Sequence, residues 1–148
     1  MSVNMPKVDF YLLNTTENQA VYRFICRLVE KAYQLHRQVY IHARSLEEAE
    51  CLDNLLWTFR DISFIPHYIG RKDENFISPS ILIGTHNPEQ HETEVLFNLT
   101  QEIPTPLHEF SRIIEVVSEN PEQKVQARGR YKAYKKQACL LSTHNINT

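Results

Sequence analysis

Glycine is scarce in this chain. Three occur in 148 residues, Gly70, Gly84 and Gly129, and no two lie close together. A loop that cradles phosphate between a strand and a helix needs several glycines, so that backbone amides can approach the anion. Neither a dinucleotide fingerprint nor a P-loop can be written from this sequence. Long apolar runs are missing too, and no stretch approaches the roughly 20 residues of a membrane-spanning helix. The segment Met-Ser-Val-Asn-Met-Pro-Lys lacks the apolar core of a signal peptide, so the chain is expected to stay in the cytosol. Cysteine is limited to Cys26, Cys51 and Cys139, with no C-x-x-C pair. That pattern reads as three reduced thiols, two of them on helices, rather than a disulfide framework or a zinc site. No G-x-S-x-G elbow and no H-E-x-x-H occurs. Seven histidines are scattered, and His86 and His91 flank Asn87-Pro88 at a spacing poor for a metal. His42, at the C-terminal end of an expected strand, is the best catalytic candidate, but no acid or nucleophile stands near it in sequence.

What remains is an ordinary globular composition, 42% hydrophobic and 23% charged, at a length common for one domain. Val8–Leu13 reads as a first strand. Over 17–35 the period changes: Ala20, Val21, Phe24, Ile25, Leu28, Val29 and Ala32 recur at three- and four-residue steps, which predicts an amphipathic helix. His36-Arg37-Gln38 turns the chain into a strand at 39–43. Ser45-Leu46-Glu47-Glu48 is a capping box for a helix to about Phe59. Short strands are expected at 63–68, 79–84, 95–99 and 113–117, with a turn at Pro104 and Pro106. Asn120-Pro121 opens a last helix to about Gln137, and the tail 138–148 is expected to fray. Strands alternating with helices predict a single three-layer α/β domain with a mainly parallel sheet, ordered over about 8–142, with no internal repeat and no linker.

Two surfaces stand out. On the helix at 45–59, Leu52, Leu55, Leu56 and Phe59 share an apolar face with Ala49, whereas Trp57 lies well off it at 100° per residue. Trp57 and the nearby Phe64 form either a hydrophobic docking patch or a spot covered by a neighbouring loop or the tail. The second surface is basic. Residues 120–136 carry six basic residues and one acidic (net +5), whereas the rest carries 10 basic and 17 acidic (net −7). On that last helix Lys124, Arg128, Lys132 and Lys135 form one stripe with Tyr131 on its edge. Like charges spaced i,i+4 repel slightly, so the stripe costs the helix a little. It suits an acidic partner, nucleic acid or a carboxylate-bearing peptide, unless it is simply a solvated face.

Phe10-Tyr11-Leu12-Leu13, Leu55-Leu56-Trp57-Thr58-Phe59 with Ser63-Phe64-Ile65-Pro66-His67, and Ala127-Arg128-Gly129-Arg130-Tyr131-Lys132-Ala133-Tyr134 together resemble the chi subunit family of bacterial DNA polymerase III, in the same order over about 8–142. The turn Gln137-Ala138-Cys139 stands where a glycine is common in that family, and the loop Arg71-Lys72-Asp73-Glu74 where relatives are often glycine-rich. The resemblance implies a nucleotide-binding-like fold without the nucleotide site, no cofactor and no enzymatic activity. It implies an adaptor that pairs with the psi subunit, and through it with the clamp loader. It also implies binding to the acidic C-terminal tail of single-stranded-DNA-binding protein, which ends in aspartates and a phenylalanine with a free carboxylate. Lys124, Arg128, Tyr131 and Lys132, with Val117 as apolar lining, are then assigned to the tail pocket, and Trp57 and Phe64 to the psi-facing patch. Direct nucleic-acid binding through the basic helix is the alternative. The net charge of −7 on the rest of the chain opposes it, so direct DNA binding is expected to be weak or absent. A nucleotide-type enzyme is the third reading.

Overall fold

The computed structural model describes residues 5–58, 81–86, 94–107 and 110–147, and residues 67–69 by their backbone. In chain order the elements are β1 (Lys7–Leu13), α1 (Asn18–Gln34), β2 (Val39–His42), α2 (Leu46–Thr58), β3 (His67–Ile69), β4 (Ile81–Gly84), β5 (Val95–Asn98), β6 (Arg112–Val117), α3 (Pro121–Lys136) and β7 (Leu140–Ile146). The seven strands form one sheet in the order β3-β4-β2-β5-β6-β1-β7, and every pairing is parallel. Central strands of a parallel sheet are covered on both faces, which is why β2, β4 and β5 are buried at every position.

Two cores result. One face of the sheet packs on α1 and α2 through Ile25, Val29, Leu52 and Leu56 against Ile41, Ile83, Phe97 and Ile114. The other packs on α3 through Ala127 and Tyr134 against Val8, Phe10, Leu96 and Ile113, closed by Leu107 and Phe110 from the β5–β6 connection. The three-layer α/β arrangement is the one expected from the sequence. The exception is the C-terminal tail: it does not fray after residue 138 but forms edge strand β7, in register with all of β1 from Lys7↔Leu140 to Leu13↔Ile146.

Caps follow the local sequence with one change. The Asn120 side chain accepts hydrogen bonds from the amides of Glu122 (3.0 Å) and Gln123 (3.2 Å), with Pro121 at the first helical position. At α2, Ser45 Oγ accepts from the Glu48 amide at 3.1 Å as a capping box requires. The Glu48 carboxylate does not return to Ser45. It accepts instead from the Arg44 amide (2.8 Å), the Arg44 guanidinium (2.7 Å) and the Tyr22 hydroxyl (2.8 Å). Burial alone would raise its pKa, but these bonds outweigh burial and hold the carboxyl below the usual range.

Glycine scarcity shows at the helix ends. Both α1 and α3 close with a Schellman motif. Past α1, His36 donates to Tyr33 O and Arg37 to Ala32 O; past α3, Ala138 donates to Lys135 O and Cys139 to Tyr134 O. The residue that must turn left-handed is His36 (φ 59°) in one and Ala138 (φ 64°) in the other. A left-handed residue with a Cβ costs about 1–2 kcal/mol, and a glycine returns about 0.4–1 kcal/mol of that through unfolded-state entropy. Ala138→Gly is therefore expected to stabilise the protein by about 0.5–1 kcal/mol in urea denaturation. A loss of stability would show that the turn carries no such strain.

Candidate functional site

The crossover from β1 runs through α1 on one face of the sheet, and that from β6 runs through α3 on the other. Since β1 and β6 are paired neighbours and their outgoing connections leave to opposite faces, a crevice opens beyond their C-terminal ends, the switch point at which open α/β sheets bind ligands. A cavity of about 370 Å³ lies there, within the range of small-ligand sites. Its walls come from the ends of β1 (Leu12, Asn14), β6 (Val117, Ser118) and β7 (Thr143, Asn145), and from α3. No glycine-rich turn lies at the β1 exit, Leu13-Asn14-Thr15-Thr16, so the amide cradle of a nucleotide site has no counterpart here.

Of the residues singled out in the sequence, Val117, Lys124, Arg128 and Tyr131 line this one cavity. Val117 is buried in its floor, and Tyr131 is half-buried, its ring edge-on to Phe10 at 5.4 Å. Lys124 and Arg128 are exposed at the mouth, and among the described residues neither has an ion pair. Lys132 is exposed one turn beyond Arg128 and does not line the cavity. Glu119 is the one carboxylate among the described lining residues. The result is an apolar floor beneath two free cations. It can take an aliphatic or aromatic side chain below and an anionic group above.

The opposite side of α3 explains why the stripe faces outward. Arg130, counted in the basic segment, points into the protein, where its Nε donates to the fully buried Glu115 at 2.9 Å. The other Glu115 oxygen accepts from the Tyr134 hydroxyl (2.7 Å) and Asn98 Nδ2 (2.9 Å). Burial pushes the Glu115 carboxyl up, opposed by Arg130, Tyr134 and Asn98. Burial likewise pushes the Tyr134 phenol up, with Glu115 adding to it. This network fixes the rotation of α3 on the sheet, and with it the direction of Lys124 and Arg128.

Trp57 is 51% exposed on α2, on the face of the sheet away from the cavity. Its expected companion Phe64 lies outside the described residues, as does most of the strand expected at 63–68. His42 is 9% exposed, and among the described residues its Nδ1 is buried without a hydrogen-bond partner. Burial is the chief cause of its lowered pKa. The polar cavity beside it, lined by Thr85, Thr100, Glu102 and Thr105 among others, is separate from the α3 site. Among the described residues no group of three or more His, Cys, Asp or Glu is placed to hold a metal, and no helix is long and apolar enough to cross a membrane. The three thiols are unpaired, and burial pushes that of Cys26 up to about 12, with a smaller contribution from Cys51.

Sequence reasoning missed the β1 and β7 walls of the cavity. Phe10, Leu12, Thr143 and Asn145 line it because β1 sits between β6 and β7, and nothing local to those residues announces that pairing. Comparison with known proteins bears on the whole chain. Residues 5–142 match the family model described as DNA polymerase III chi subunit, HolC. The protein named DNA polymerase III subunit chi from Pseudomonas aeruginosa is 34% identical over 142 residues, covering 96% of this chain and 98% of the relative. Those of the same name from Haemophilus influenzae and Escherichia coli are 31% identical over 140 residues and 25% identical over 148, with coverage of 93% or more on both sides. The expectation drawn from the tryptophan motif and the basic helix is met, and the chain belongs to the DNA polymerase III chi subunit family.

Proposed function

We propose that this protein is a non-catalytic adaptor of the DNA polymerase III holoenzyme, acting in the bacterial cytoplasm without a cofactor. It couples the clamp loader, through the psi subunit, to the acidic C-terminal tail of single-stranded-DNA-binding protein. The observation that carries the reading is the switch-point cavity, with Val117 and Tyr131 below and Lys124 and Arg128 exposed at its mouth, without an ion pair among the described residues. A tail ending in aspartates and a phenylalanine with a free carboxylate matches it group for group. The ring enters the apolar floor, Arg128 forks onto the terminal carboxylate, and Lys124 and Lys132 attract the aspartates. Lys132 acts from outside the cavity, on residues preceding the phenylalanine. On the other face, the exposed Trp57 supports a protein contact of the kind made by interface anchors, and together with Phe64 it is the proposed psi patch.

Titration of a synthetic tail peptide by calorimetry tests the reading. Saturable binding in the micromolar range is expected for the wild type, weakened about tenfold or more by Arg128→Ala and by amidation of the peptide's C-terminus. A peptide that fails to bind the wild type at low salt removes the tail from the proposal and leaves only the psi contact. A single-stranded oligonucleotide is expected to bind weakly or not at all, since the chain outside residues 120–136 carries net −7.

A further inference from the structure

Ten basic residues lie outside the α3 segment, and five of them line one groove on the opposite side of the sheet: Lys7, Arg27, Lys31, Arg37 and Arg112. Of the 17 acidic residues outside that segment, Glu94 is the one among the described lining residues. Glu94 is bound to Arg37 at 3.2 Å, and Arg112 is held by buried Asp9 at 2.8 Å. Lys7, Arg27 and Lys31 are exposed and have no ion pair among the described residues. A chain that is acidic outside α3 thus places half of its remaining basic residues around one feature.

That feature is apolar inside. The groove has a volume of about 690 Å³ and runs between α1 and the β1–β6 side of the sheet. Tyr11, Phe24, Leu28, Phe97 and Ile114 form its floor and walls, and Leu35, 67% exposed, stands at one end. The helix supplies both characters through its own periodicity. Leu28 and Leu35 line the groove while Arg27 and Lys31, one turn apart, edge it. Single exposed apolar residues need no explanation, but an apolar trough rimmed by unneutralised charge of one sign specifies its complement.

We infer that this α1 groove is a second docking surface for an acidic protein segment, one that places leucine or phenylalanine side chains in the trough and Asp or Glu against Arg27, Lys31 and Lys7. Nucleic acid suits it less well. Single strands are held by bases stacking on free aromatic faces, and here Tyr11 is already stacked on His144 (4.7 Å between ring centroids, 21°) and tilted onto Phe24. The ring of Phe97 is buried at 1% exposure, and the other apolar lining is aliphatic, which packs side chains rather than bases. The site is independent of the switch-point cavity. The two lie on opposite faces of the sheet and share only Ile146, at the edge.

The test uses an amphipathic synthetic peptide of leucine, phenylalanine and glutamate, amidated at its C-terminus so that it presents no terminal carboxylate to Arg128. Followed by two-dimensional NMR on the full chain, it is expected to shift the amides of α1 and of residues 112–114. The double variant Arg27→Glu/Lys31→Glu, at exposed helix positions and checked for folding by circular dichroism, is expected to bind about tenfold or more weakly. Arg128→Ala is expected to bind as the wild type does. No shifts in the groove up to millimolar peptide would overturn the inference, as would equal binding of a peptide with lysine in place of glutamate. An oligonucleotide that shifts these amides when the peptide does not would assign the groove to nucleic acid instead. A charge reversal that alters only the protein's own sedimentation would assign it to a second copy of the chain. Either outcome ends the proposal.

Discussion

Arg130→Met is expected to destabilise the protein by about 3–5 kcal/mol, the cost of leaving one member of a buried ion pair alone. The arginine side chain is 11% exposed and Glu115 not at all, so water cannot replace the lost partner. Tyr134 and Asn98 still donate to one oxygen, but neither brings a charge. The loss also depends on pH, with a sign fixed by the carboxyl. Burial already pushes its pKa up, and removing Arg130 pushes it further above the unfolded value of about 4.3. Between those two values the folded state holds a proton that the unfolded state has shed, so stability falls as pH rises through that window. Urea denaturation at about pH 5 and about pH 8 should show the deficit against wild type larger at the higher pH. A loss below about 1 kcal/mol and equal at both would show that the charge of Arg130 does not hold α3 in place. Adding Glu115→Gln to the variant is expected to recover part of the stability, because the buried charge is then gone.

The second large effect lies on the other face of the sheet, one residue from Glu115 in register. Asp9 on β1 is fully buried and joins three strands: Arg112 Nε on β6 donates to one oxygen at 2.8 Å, and His144 Nε2 on β7 meets the other at 3.0 Å. The partners reach it because residues two apart on a strand share a face, and Asp9 is in register with Ile114 and Ser142. Arg112→Met leaves the carboxylate with His144 alone. Because Arg112 is 43% exposed and water can enter its place, about 2–3 kcal/mol is expected rather than the full cost of a buried pair. The damage should be local. Hydrogen exchange is expected to quicken first in β7, and tail-peptide affinity to fall, because Thr143 and Asn145 form a wall of the cavity. Unchanged exchange in β7 would mean that the edge strand is held by its backbone pairing with β1 alone.

These two knots also explain what was legible in the sequence and what was not. The helices were readable because α1 carries an apolar face at helical spacing and α3 opens on Asn120-Pro121. That Trp57 lies off the core face was legible, because 100° per residue places it away from Ala49, Leu52 and Leu56, which are buried, but its exposure was not. The direction of the α3 stripe was readable on the same ground. Strand β7 was not, since Leu-Leu-Ser-Thr-His-Asn-Ile has no clean alternation of apolar and polar residues. Its inward position is filled by His144, whose partner is a buried carboxylate 135 residues away. Arg130 was hidden for the same reason. A cation in a basic segment reads as solvated until the acid that it meets in the fold is known. The carboxylates that organise this protein, Asp9 and Glu115, sit inside strands and satisfy partners brought by topology, and no local pattern records that.

The strand order carries a consequence for synthesis on the ribosome. Strands β2, β4 and β5 are neighbours, and all emerge by residue 98. By contrast, β1 pairs only with β6 and β7, the last two strands made. At ordinary elongation rates the first strand, with Val8, Phe10 and Leu12, waits on the order of ten seconds before a partner exists. During that interval an apolar segment with open hydrogen-bonding edges is available to whatever meets a nascent chain. The newborn protein should therefore engage holding chaperones through its N-terminal residues and release them only when β7 has left the exit tunnel.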